Sequence, residues 1–95
     1  TTLKERETRY GSFGCNSNIT QKLYNVLKES PNYNTLDHQH REAFHMIFHK
    51  IARCVCGDCN YIDNIHDIIG YAKLLEDFLT VKHLLFLIQQ KVIRL

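Results

Sequence analysis

Several features that mark special classes of protein are scarce or missing in this sequence. Tryptophan is absent, proline occurs once and glycine occurs four times in 95 residues, so the composition does not indicate disorder. The longest apolar run covers residues 84–88 and is far too short to span a membrane. The net charge of +2 is too mild to indicate a nucleic-acid-binding protein. The chain also opens without an apolar signal segment, which predicts a cytoplasmic protein with no membrane contact.

What the chain does contain is the apolar content of one small helical domain. Hydrophobic residues make up 44% of the sequence, which suits a single domain over 1–95 with a modest core. Two glycines among charged and aromatic residues predict a non-helical N-terminal arm over 1–15. Helical spacing of apolar residues predicts helices over 16–30, 36–55 and 62–79, with 80–95 continuing or restarting the last. We therefore expect an all-α bundle of three or four helices.

The apolar faces of these helices predict what each helix buries. The core face of the 36–55 helix holds Phe44, Ile47, Phe48, Ile51, Ala52 and Val55. The core face of the 62–79 helix holds Ile65, Ile68, Ile69, Ala72, Leu75 and Leu79. The segment 80–95 is apolar on several sides, which is typical of a helix at a subunit interface. We therefore expect a homo-oligomer formed through residues 80–95.

A polar stripe lies opposite the apolar face of the 36–55 helix and consists of Glu42, His45, His49 and Arg53. Histidines four residues apart can bind a transition metal. A full di-metal site needs inward-facing ligands from four helices, and the rest of the sequence does not supply them. We therefore interpret this stripe as a solvent-facing surface.

The four cysteines are expected to be free thiols, because a cytoplasmic protein is kept reduced. Three of them form the cluster Cys54-x-Cys56-x-x-Cys59, and Cys15 lies far away in sequence. Such a cluster can bind zinc, but structural zinc sites use two well-spaced ligand pairs and this chain has a single cluster. We do not expect zinc at Cys54, Cys56 and Cys59.

Three carboxylates form the best candidate for a magnesium site. Glu42 lies on one predicted helix, and Asp63 and Asp67 lie on the next. Mg²⁺ prefers carboxylate oxygens and water, commonly with a phosphate of the substrate. The alternative is ordinary helix surface, because Glu42 lies opposite the apolar stripe and Asp63 suits the start of a helix.

Residues 5–79 contain a series of short motifs that occur together in one family. They are Arg9-Tyr10-Gly11-x-Phe13, Arg41-Glu42-Ala43, Met46-Ile47, His49-Lys50-Ile51-Ala52-Arg53, Gly57-Asp58, Asn60-Tyr61-x-Asp63 and Asp67-Ile68-x-Gly70-Tyr71-Ala72-x-Leu74. This series resembles a family of small phage and prophage proteins of uncharacterised function, most specifically over residues 41–74. That family is in turn distantly similar to the all-helical MazG-like nucleoside triphosphate pyrophosphohydrolases.

The similarity to the pyrophosphohydrolases implies Mg²⁺ held by a Glu-x-x-Glu pair on one helix and a Glu-x-x-Asp pair on the next. Glu42 could stand in the first pair, but His45 occupies the partner position. Asp67 could stand for the final Asp, but Asn64 occupies the position three before it and Asp63 is the nearest carboxylate. The metal set is incomplete, which favours binding over catalysis.

Two functions follow as predictions. A phage-type binding protein would dock on a host protein, such as a defence component, or would sequester a nucleotide. A reduced pyrophosphohydrolase would instead use Mg²⁺ at the three carboxylates, with Lys50 and Arg53 facing phosphates. No residue is assigned a catalytic role. The candidate residues for binding a ligand or partner are Arg9, Tyr10, His49, Lys50, Arg53 and Tyr71.

Overall fold

The computed structural model describes the backbone of residues 2–94 and the side chains of residues 2–92, so Thr1 and Leu95 lie outside the described residues. The chain forms four helices, which are α1 (Leu3–Tyr10), α2 (Phe13–Lys28), α3 (His38–Cys56) and α4 (Ile62–Arg94). A single 3-10 turn at Tyr33–Thr35 joins α2 to α3. Residues 2–94 contain no strand, and the predicted all-α fold is confirmed. None of the helices described is long and apolar enough to cross a membrane.

The prediction of a non-helical N-terminal arm is wrong, because two helix caps organise this segment. The Thr2 hydroxyl accepts a hydrogen bond from the backbone N–H of Glu5 (3.2 Å) and caps α1. The Ser12 hydroxyl accepts one from the backbone N–H of Cys15 (3.1 Å) and caps α2. Gly11, with a φ of 82°, makes the turn between the two helices.

Helix α3 is the central element of the fold, since α1, α2 and α4 all pack against it. Its buried residues are the small side chains Ala43 and Ala52, which allow the neighbouring helices to approach closely. The predicted solvent-facing stripe is therefore wrong for its histidines, which are half-buried. The ring of His45, for example, packs edge-on against Tyr24 of α2 at 4.9 Å.

Helix α4 is one uninterrupted helix of 33 residues, about 50 Å long. Thr80 does not restart the helix, because its hydroxyl donates to the Glu76 carbonyl (2.9 Å) within α4. The ammonium of Lys82 pairs with Asp37, the N-cap residue of α3. The N-terminal end of α3 therefore lies beside Lys82 of α4. Beyond Lys82 the side chains described on α4 are all exposed.

The face that α4 turns towards α3 differs from the predicted one. Ile65 and Ile69, expected in the core, are 46% and 62% exposed. Asn64 is instead fully buried, and Asp67 of the same face reaches Lys50 of α3 at 3.0 Å. The prediction failed because the packed face of α4 carries polar residues, whereas periodicity assigns the most apolar face to the core.

The expectation of four free thiols is wrong for two of the cysteines. Cys15, in the first turn of α2, forms a disulfide with Cys56, the last residue of α3. The Ser12 cap starts α2 beside the end of α3 and brings the two Cα atoms to 5.9 Å. Cys54 and Cys59 are free, and Cys59 is exposed.

Candidate functional site

A pocket with polar lining lies where α1 and the start of α2 meet the last turns of α3. It has a volume of 230 Å³. Side chains from all three helices line it, chiefly Arg6, Tyr10, Phe13, Asn16, His49 and Arg53. The pocket exists because α1 folds back over α3 at the Gly11 turn.

Arginine–tyrosine stacking dominates the geometry of this pocket. The guanidinium groups of Arg6 and Arg53 lie 5.8 and 4.7 Å from the centre of the Tyr10 ring. Beside the pocket, Arg9 stacks on Tyr61 at 5.4 Å, and the rings of Tyr10 and Tyr61 meet edge to face at 5.7 Å. Stacking holds each guanidinium in place while its N–H donors stay available for a ligand.

The pocket carries an excess of positive charge. None of Arg6, Arg9 and Arg53 forms an ion pair with a carboxylate of the described residues. Glu7 also lines the pocket, so two arginines and one glutamate contribute to its lining. Burial, and then the charge of Arg53, lowers the pKa of His49. At neutral pH His49 is therefore a neutral imidazole that can donate or accept a hydrogen bond.

Short backbone contacts hold α1 in position over the pocket. The N–H of Asp58 donates to the carbonyl of Arg9 (3.1 Å), and a Cβ placed on Gly57 would lie 2.6 Å from the nitrogen of Gly11. The Asn16 amide donates to the carbonyl of Tyr10 (2.7 Å). The buried Oδ1 atom of Asn16 has no hydrogen-bond partner in the described residues.

The structure brings together four of the six predicted binding residues. Tyr10, His49 and Arg53 line the pocket, and Arg9 lies beside it on Tyr61. The other two lie elsewhere. Lys50 pairs with Asp67 between α3 and α4. Tyr71 lines a separate groove that also contains Glu42.

Three pocket residues escaped prediction, two of them, Arg6 and Phe13, because 1–15 was expected to be non-helical, and Asn16 because it was expected only as the start of the helix over 16–30. Arg6 stacks on Tyr10 because they lie four apart on α1, while Phe13 and Asn16 belong to the first turn of α2. The capping residues Thr2 and Ser12 were the available signal for these two helices.

The three carboxylates predicted to hold Mg²⁺ do not come together. The described residues contain no group of three His, Cys, Asp or Glu side chains placed to hold a metal ion. Asp67 is paired with Lys50, and Glu42 lies in the groove with Tyr71. Hydrogen bonding to Asp63, and then to Tyr10, raises the pKa of Tyr61 to about 12. The donor set therefore does not fit Mg²⁺ in this arrangement.

Comparison with known proteins finds no match among family models, curated proteins or solved structures. The chemistry of the pocket is consequently the main guide to function. Its donors are guanidinium groups and an imidazole, and its walls are aromatic. That combination suits a ligand with both negative charge and a flat ring.

Proposed function

We propose that this chain is a binding protein that holds a phosphate-bearing, base-containing ligand, a nucleotide, in the α1–α2–α3 pocket. The observation that carries the proposal is the pair of guanidinium groups stacked on Tyr10 with no carboxylate partner. Guanidinium groups bind phosphate oxygens through two parallel N–H donors, and binding is strongest where the arginine is already positioned. In the setting implied by the phage-protein resemblance, such binding would sequester a nucleotide of the host cell.

The size of the pocket indicates which part of the ligand it takes. Its 230 Å³ is below the roughly 300–1,000 Å³ typical of sites that enclose a whole small molecule. We therefore expect the phosphates to lie between Arg6 and Arg53, with the base stacked on the exposed ring of Phe13 at the rim. Phe13 is 87% exposed, which leaves its ring open for stacking.

Binding is favoured over turnover by the state of the carboxylates. Asp67, the best match to the pyrophosphohydrolase motif, is engaged by Lys50 at 3.0 Å. Lys50 is also unavailable to a phosphate in this arrangement. Hydrolysis with Mg²⁺ remains the competing prediction, and an Asp67→Asn variant tests it beside the binding variants.

The test is calorimetric titration of the full chain with nucleoside triphosphates, using the matching nucleosides as controls without phosphate. We expect the triphosphates to bind and the nucleosides to bind far more weakly. Arg53→Gln should weaken binding about 10- to 100-fold, because it removes charged hydrogen bonds to phosphate. Lys28→Gln is the matched control, since Lys28 also stacks on a tyrosine (Tyr24, 4.8 Å) but lies outside the pocket.

The outcomes separate the two functions. Binding that Arg53→Gln weakens and Lys28→Gln leaves unchanged supports the proposal. Release of pyrophosphate with Mg²⁺, abolished by Asp67→Asn, would establish the hydrolase instead. Equal affinity in Arg53→Gln and wild type would show that the pocket is not the binding site.

A further inference from the structure

A single chain exposes more surface to solvent than a compact folded chain of the same mass. The accessible area is 7275 Å², whereas a folded chain of 11.2 kDa has about 5,700 Å². The radius of gyration is 17.6 Å against about 12 Å for a compact chain of this length. The excess area of about 1,600 Å² is ample for one partner's share of a stable interface, about 800 Å². Half of the exposed large apolar side chains lie in residues 79–92.

One line of residues along α4 has the spacing of a helix-pairing surface. We call it the α4 seam, and it consists of Gly70, Leu74, Val81, Leu84, Ile88 and Val92. Successive residues of the seam are three, four or seven positions apart, which is the spacing of side chains that face a paired helix. The intervening Asp77 reaches Lys73 at 2.9 Å. The five side chains of the seam are 52–65% exposed in the single chain.

Gly70 points to a close neighbour that the single chain lacks. Glycine weakens a helix interior, and a glycine is retained there when another backbone or side chain must come close. A Cβ on Gly70 would meet nothing within 4 Å among the described residues, so no contact within that part of the chain explains the glycine. Its position in the seam places the missing neighbour along α4.

We infer that a second copy of this chain covers the seam, with the two α4 helices antiparallel and the two-fold axis at Val81. In this register Ile88 of each copy lies opposite Leu74 of the other, and Val92 lies opposite Gly70. The small Gly70 then accommodates the Val92 side chain. The inference goes beyond nucleotide binding, because the seam and the pocket share no residue.

The chain is complementary to itself in this register, which is why the occupant is a second copy. Residues 83–92 form a ridge that extends past the N-terminal end of α3, which lies beside Lys82. Residues 70–79 border an apolar groove of 220 Å³ between α3 and α4, lined by Tyr71, Leu74 and Phe78. Ridge and groove extend equally far on either side of Val81, so an antiparallel pair places each ridge in the other copy's groove.

The first measurement is the mass of the wild-type chain by light scattering at micromolar concentration. We expect twice the chain mass of 11.2 kDa. Val81→Asp should give a single-chain mass, because two charges would meet at the two-fold axis. Leu87→Asp is the matched control, since Leu87 is a comparably exposed apolar residue (49%) on another side of α4. A wild-type monomer, or dissociation of both variants alike, would overturn the inference.

Gly70→Leu keeps the test decisive if Val81→Asp fails to fold. The single chain has open space at Gly70, so this variant should fold with a wild-type circular dichroism spectrum. We expect its dimer to dissociate at least about tenfold more readily than the wild-type dimer. An unchanged dimer affinity in Gly70→Leu would contradict the proposed register.

The orientation of the two helices is tested by pulsed electron paramagnetic resonance. A nitroxide attached at Lys91→Cys, with Cys54 and Cys59 changed to serine, reports the distance between copies. An antiparallel pair centred on Val81 predicts about 30 Å, whereas a parallel pair predicts about 10–15 Å. The shorter distance would refute the antiparallel arrangement.

Discussion

The two ends of this molecule are built in opposite ways. At one end, α1, α2 and the end of α3 are joined by helix caps, arginine–tyrosine stacks and the Cys15–Cys56 disulfide around a charged pocket. At the other end, α4 runs beyond α3 with apolar side chains exposed on several sides. The first end is organised by contacts within one chain. The second end lacks an apolar neighbour, so composition alone does not make a core.

The largest effect on stability is expected from removing the Cys15–Cys56 disulfide, which lies at the first of the two ends. Changing both Cys15 and Cys56 to serine should lower the free energy of unfolding by about 4 kcal/mol, because the crosslink spans 41 residues of the unfolded chain. Urea denaturation measures this, with the exposed Cys59→Ser as the control. The light-scattering mass should stay unchanged in both variants, since the seam lies at the other end. Equal stability of the two variants would contradict the structural role of the crosslink.

A smaller effect is expected from filling space on the two helices. Ala52→Leu should destabilise the fold by about 1–3 kcal/mol, because Ala52, near the C-terminal end of α3, is 0% exposed and leaves no space for a larger side chain. Ala72→Leu, at an exposed position of α4, should change stability by less than about 0.5 kcal/mol. Thermal unfolding of both variants measures the two changes in stability. A similar loss of stability in Ala72→Leu would show that Ala72 is also covered by other residues.

The glycines provide a third comparison. Gly70→Ala should raise the free energy of unfolding by about 1 kcal/mol when measured at concentrations where chains are separate, because alanine favours the helix. Gly57→Ala should lower it, because a Cβ there would lie 2.6 Å from the Gly11 nitrogen. Chemical denaturation at low concentration measures both changes. A loss of stability in Gly70→Ala would mean that the chain itself crowds this position.

The smallest effect concerns pH at the polar end. Burial lowers the folded-state pKa of His49 below its ordinary value of 6.5, so the unfolded chain binds more protons just below that pH. The contribution of His49 to stability is therefore present above about pH 6.5 and is lost as the pH falls through the folded pKa. We expect stability to fall more steeply on acidification in wild type than in His49→Gln. Parallel pH profiles for the two proteins would remove His49 as the cause.

The sequence predicted the longer helices well, but it missed α1 and predicted the surroundings of the helices poorly. The spacing of Phe44, Ile47 and Ile51 placed the central helix at 36–55, within two residues of the observed His38–Cys56. Amphipathic periodicity identifies a helix that buries one face and exposes the other. It does not predict the surroundings of a helix that is packed on both faces or on neither. The first case is α3, with half-buried His49 on its polar side, and the second is the far half of α4.

The site was half predictable for a similar reason. His49 and Arg53 stood out because they lie on the polar stripe of the 36–55 helix and in one of the family motifs, and Tyr10 stood out from its own motif. Arg6 could be recognised only once α1 was known to be helical, because its stacking on Tyr10 depends on helical spacing. The disulfide depends on how close two helix ends approach in space, which no pattern within the sequence of either helix reports.

The close backbone contact between Gly11 and Gly57 has a consequence for how fast a ligand of the proposed kind would enter and leave the pocket. Helix α1 forms one wall of the pocket and has no buried residue of its own. Its attachments cluster at its C-terminal end, in the Gly11–Gly57 contact, the Asp58–Arg9 and Asn16–Tyr10 hydrogen bonds and the stacks on Tyr10 and Tyr61. A short helix held at one end and buried nowhere belongs to the parts of a fold that open locally at low cost. Ligand entry and escape would then proceed at the rate at which α1 lifts, so different ligands would share one dissociation rate limit set by the protein.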